Sequence, residues 1–135
     1  MVAIDIATFC EEASSDAQER LTLRTIMQNP AFVQGPMPVD LGLVFSAEAP
    51  DIGTSAKIGV QFLDADGNGY GNFTLTWRID GSGPGGPVIA GLPMWRAFAV
   101  KLKDFTVSRP GLNRIDISVD GSVKRQLTFV VLPRG

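Results

Sequence analysis

Pro110-Gly111-Leu112-Asn113-Arg114-Ile115-Asp116-Ile117-Ser118-Val119-Asp120-Gly121 is the stretch from which the fold is read. Pro110-Gly111 sets a turn. Leu112 to Val119 alternates apolar and polar side chains, and Asp120-Gly121 forms a tight turn before Leu127 to Leu132 returns as an apolar run. Alternation at period two, a D-G turn and a second run together predict a β-hairpin. The same grammar recurs through the rest of the chain, so the sequence predicts a single all-β domain over residues 1–135.

Working outward, Val2 to Phe9 reads as a strand, Ser14 to Ala17 as a polar turn, and Leu21 to Ile26 as the returning strand of a hairpin. A helix over residues 7–20 is the competing reading. Ala, Glu and Gln favour it, but the apolar spacing makes no continuous stripe. Asn29-Pro30 and Gly35-Pro36-Met37-Pro38 form a proline-rich connection that cannot be a central strand. Leu41 to Phe45, Ile58 to Leu63, Phe73 to Ile79 and Met94 to Leu102 read as strands, and Phe105 to Val107 extends the last or starts a short one. Phe73, Leu75, Trp77 and Ile79 share one face and form the clearest core prediction. Gly81 to Pro87 reads as a flexible loop. About eight strands with turn signals every eight to twelve residues predict an antiparallel β-sandwich, immunoglobulin-like in general character, rather than a regular closed barrel.

Composition narrows the function classes. The net charge is −2, without the clustered basic face that nucleic acid requires. Charge is uneven: residues 1–60 carry three bases and eight acids, residues 61–135 nine bases and six acids. It reads as scatter over solvated strand faces, with two faces of opposite sign as the alternative. The chain has one cysteine and no histidine, so a Cys–His nucleophile and the common zinc sites are excluded. Cys10, beside Phe9 and Ala7, is expected in or beside the core as a free thiol. No signal peptide and no apolar run long enough to cross a bilayer is visible. The expectation is a cytoplasmic protein or a component of a particle assembled inside the cell, without nucleic-acid or membrane partners.

Three motifs compete with ordinary turn chemistry. Asp64-Ala65-Asp66-Gly67-Asn68-Gly69 matches the first half of a calcium loop, but the twelfth position is Leu75 where a bidentate Glu is needed, and the flanks are strands. The expectation is a turn, with a weak surface cation on Asp64, Asp66 and Asn68 left open. The glycine series at 67–71 and 81–86 lack the Lys-Ser/Thr ending and the helix of a phosphate loop. Asp116 and Asp120 share an outward strand face with Arg114 and Ser118, which is a solvated face and no acid–base pair. No catalytic residues and no cofactor are expected.

The candidate contact patch is Met94, Trp95 and Arg96, because large amphipathic side chains and arginine concentrate at interface hot spots. The competing and favoured expectation for Trp95 is that it packs in the core like Trp77.

Along most of its length the chain resembles a family of small bacterial β-sandwich proteins of unknown function. The shared features are a first strand carrying a cysteine (Val2 to Cys10), a strand like Leu21 to Ile26, a Pro-containing connection (Asn29 to Pro38) and a strand like Leu41 to Phe45. A strand running into D-x-D-G (Val60 to Gly67) and the terminal hairpin (Pro110 to Leu132) complete them. Gln18-Glu19-Arg20 stands where a glycine-containing turn is usual, which implies a longer first hairpin. The resemblance supports the fold and assigns no site residues. The expected role is a non-catalytic protein-interaction or structural module of a bacterial or phage-like assembly, with a protein partner or self-association. A small-ligand or glycan-binding module using Trp95 and Asp64 is the alternative, and an enzyme the remote one.

Overall fold

The computed structural model describes residues 2–16, 20–80 and 91–134. Among them eleven strands form: β1 (Ala3–Ser15), β2 (Leu21–Met27), β3 (Ala31–Val33), β4 (Gly35–Pro36), β5 (Asp40–Ala47), β6 (Thr54–Leu63), β7 (Gly69–Ile79), β8 (Met94–Lys101), β9 (Thr106–Val107), β10 (Gly111–Val119) and β11 (Ser122–Leu132). Sheet A has the order β2-β1-β5-β8 and sheet B the order β3-β11-β10-β6-β7; β4 and β9 make a small two-stranded clip. The fold is therefore the expected all-β sandwich.

Eight of these strands are the long ones read from the sequence. Of the other three, β9 is the short strand left open at Phe105 to Val107, while β3 and β4 correct the count of about eight. Each has only two or three residues, too few to show a side-chain period. The sandwich is also not wholly antiparallel, because β3 pairs with β11 in parallel. That pairing lies at the sheet edge, where the prolines of the connection remove no ladder bond from a neighbour. The competing helix over residues 7–20 is overturned. Its first nine residues belong to a strand bonded to β2 on one side and β5 on the other. The predicted loop at Gly81 to Pro87 lies outside the described residues.

The terminal hairpin forms as its sequence dictates. Asp120 and Gly121 both take positive φ, 49° and 86°, the backbone of a two-residue turn that matches strand twist. Asn113, Ile115, Ile117 and Val119 are buried while the residues between them are partly exposed. Asn113 is satisfied: it accepts from the Tyr70 hydroxyl at 2.8 Å and donates to the carbonyls of Arg109 and Gly111. The core fills the space between the sheets with Phe9, Phe45, Phe62, Phe129, Leu41, Leu43, Ile58 and Ile115. Of the face predicted on β7, Trp77 and Ile79 are buried, but Phe73 and Leu75 are only half-buried, because β7 is the edge of sheet B.

Candidate interaction surface

Strand alternation decides where β8 sends its side chains. Met94, Arg96, Phe98 and Val100 stand opposite Ala47, Phe45, Leu43 and Leu41, all core residues. Trp95, Ala97 and Ala99 consequently face outward. Trp95 is 55% exposed, which corrects the expectation that it packs like Trp77. The signal was present in the sequence: Trp95 shares its strand face with Ala97, Ala99 and Lys101, a face too small and too charged to be a core. Met94 and Arg96 lie on the other side of the strand. Arg96 places its guanidinium 4.4 Å from the centroid of the Phe98 ring, and burial lowers its pKa. The predicted trio is thus contiguous in sequence but divided between two faces.

Beside Trp95 the outer face of sheet A carries one apolar row across three strands. One row runs Ile6, Val44, Ala97; the next carries Ser46 and Trp95. Ile6 is 44% exposed, and Asp5 borders the row, accepting from the Ser46 hydroxyl at 3.1 Å. A second exposed apolar group lies on sheet B, where Val33, Leu132 and Leu112 project outward from β3, β11 and β10.

The sandwich is open along one side. β2 ends opposite Phe9 and β3 covers β11 only from Val130 to Leu132. A groove of about 520 Å³ remains between the first halves of β1 and β11, with Ala7, Thr8, Met27, Arg125, Leu127 and Thr128 among its walls. Arg125 crosses it to donate to the Ile4 carbonyl at 3.0 Å. The Thr128 hydroxyl donates to the Asn29 side chain at 2.6 Å.

Asp64, the first residue of the calcium-like motif, is engaged in structure. Asp64 Oδ1 accepts from the amides of Asp66 and Asn68 at 3.0 and 2.9 Å, and Oδ2 is held by Arg109. The Arg109 bond, then the Asn68 amide, hold this carboxyl below the usual range. The motif is therefore built as a turn, and among the described residues no group of three His, Cys, Asp or Glu is placed to hold a metal. Burial pushes the Tyr70 hydroxyl up to about 12. Asp64 lies in the turn between β6 and β7 of sheet B, and Trp95 on β8 of sheet A.

Sequence reasoning missed Asp40. It sits between Val39 and Leu41 at the start of β5 and is 1% exposed. Lys101 Nζ donates to its Oδ2 at 2.7 Å and the Ala13 amide to the same oxygen at 2.9 Å. Burial alone raises its pKa; the bonds from Lys101 and Ala13 outweigh burial and hold it below the usual range. An acid inside an apolar run was the available signal.

No family model and no curated protein matches the chain. Among solved structures it is similar to an immunoglobulin-like protein from Pseudomonas aeruginosa, at 14% identity over 98% of this chain and 97% of that one, with a TM-score of 0.44.

Proposed function

We propose that this chain is a non-catalytic protein-interaction or structural module of a bacterial or phage-like assembly, and that it contacts its partner through the outer face of sheet A around Trp95. It is further proposed to belong to the small bacterial β-sandwich family that its motifs resemble and to act inside the cell. One observation carries the reading: Trp95 is more than half exposed at the edge strand of sheet A, beside the apolar row of Ile6, Val44 and Ala97. Burying exposed apolar area is the general driving force of association, about 25 cal/mol per Å² before the costs of binding, and tryptophan is enriched among the residues that dominate it. The absence of histidine and the structural engagement of Asp40, Asp64 and Tyr70 support a non-catalytic role.

The test is a native mass spectrum of the protein purified gently from its own host. Masses of whole copies or of other chains, lost in Trp95→Ala while the variant keeps its fold, are expected. A bare monomer of 14.4 kDa from both proteins overturns the reading.

A further inference from the structure

The outer face of sheet A is bare near Trp95 but covered at its other end, and the cover is the chain's own first hairpin. Phe9 points into the sandwich, with its ring 5.7 Å from Phe129 and 6.1 Å from Phe32. Cys10 must therefore point outward, in a row with Asp40 and Lys101 on the next two strands. On a bare sheet this row would be solvated. Instead Cys10 is 0% and Asp40 1% exposed.

Beyond Cys10 the hairpin turns back over that row. The Ala13 amide reaches Asp40 Oδ2, and Lys101 Nζ bonds both to that oxygen and to the Ala13 carbonyl, the latter at 2.6 Å. Leu23 lies over Gly42: a Cβ on this glycine would stand 2.5 Å from Leu23 Cδ2. The bend in β2 falls at Thr25, whose φ is +56°, a left-handed backbone that a β-branched residue adopts only under strain. The cover is thin. From Glu11 to Ser15 only Ala13 is buried, and Asp40 Oδ1 beneath it has no hydrogen-bond partner. Few buried apolar contacts and local strain mark a segment of low local stability.

We propose that the distal half of this hairpin, Glu11–Asp16 with Arg20–Thr25, is a flap that opens as a unit while the sandwich stays folded, latched by Lys101, Asp40 and Ala13. Opening uncovers Cys10, Asp40 and Gly42 on the outer face of sheet A. The flap is read from the hairpin's own contacts and does not rest on the assignment of that face to a partner.

Cys10 is the built-in reporter. Its reaction with an aromatic disulfide reagent is followed in the whole protein across a denaturant series, with tryptophan fluorescence reporting global unfolding. Opening of a flap exposes little surface, so at low denaturant the labelling rate is expected to depend only weakly on denaturant, with a slope well below the global one. Lys101→Met should speed this phase roughly ten- to a hundredfold, the factor that loss of hydrogen bonds to a charged group implies. Thr25 is exposed, so Thr25→Gly relieves the left-handed backbone without opening the core, and should slow labelling roughly twofold. Labelling that follows the global slope and free energy in every variant overturns the flap. Should Lys101→Met fail to fold, Thr25→Gly decides alone: an unchanged rate overturns the proposal, a slower one supports it.

Discussion

Two aspartates are buried among the described residues, and they are held in opposite ways. Asp64 uses both carboxylate oxygens: one accepts two amides of its own turn, the other takes Arg109. Asp40 concentrates its partners, Lys101 and the Ala13 amide, on Oδ2 and leaves Oδ1 without one. The first network closes locally, within a turn and the strand ends beside it. The second reaches across three strands and pins a hairpin to a sheet. A closed network rigidifies the structure around it, whereas a partly satisfied one stores cost that opening can release. The difference predicts that the Asp64 end is the rigid end of the molecule and the Asp40 end the yielding one.

The strongest way to break this comparison is to open the closed network. Asn113 is 1% exposed and joins Tyr70 to the carbonyls of Arg109 and Gly111. Asn113→Ala removes all three bonds and strands the Tyr70 hydroxyl, so a loss of about 3 kcal/mol is expected in denaturant unfolding. At the other end, Asp40→Asn keeps the shape but removes the charge. Lys101 is half exposed and its pairing is discounted for solvent, so the expected loss is only about 1–2 kcal/mol. Equal losses would show that both networks are equally closed.

Acid sharpens the contrast through Asp40 itself. Its folded pKa is depressed, so the native carboxylate contributes stability that is present above about pH 4, the unfolded value, and is lost as pH falls through the folded one. The stability gap between wild type and Asp40→Asn is expected to be full at pH 6 to 7 and to narrow steadily below about pH 4. A gap that stays constant down to pH 2 would mean that the Asp40 carboxylate carries no net advantage in the folded state.

The two regions also differ in how far the sequence revealed them. The turn at Asp64 was legible because its chemistry is local: Asp, Asn and Gly at fixed offsets specify a backbone whatever surrounds it. The terminal hairpin was legible for the same reason, through Asp120-Gly121 and its alternation. The Asp40 latch joins residues 13, 40 and 101, and no local pattern places those three together. Trp95 was misassigned because size alone argued for burial. Its face-mates Ala97, Ala99 and Lys101 argued the other way, and the strand period carries more information than the side chain. The short strands β3 and β4 escaped because pairing, not side-chain pattern, makes them strands.

The smallest effects test strain directly, by comparing one left-handed residue from each region. Gly67, in the Asp64 turn, has φ +83° and nothing within 4 Å of the position a Cβ would take. Its only requirement is conformational, so Gly67→Ala is expected to cost about 1 kcal/mol. Thr25, in the hairpin bend, occupies the same half of backbone space at φ +56° with a β-branched side chain. Thr25→Gly relieves that strain but adds freedom to the unfolded chain, leaving a gain of roughly 0.5 kcal/mol. Opposite signs at the two positions are the signature of one region already fitted to its backbone and one held in tension. If Thr25→Gly destabilises as Gly67→Ala does, the bend is supported by its surroundings and the hairpin is as settled as the turn.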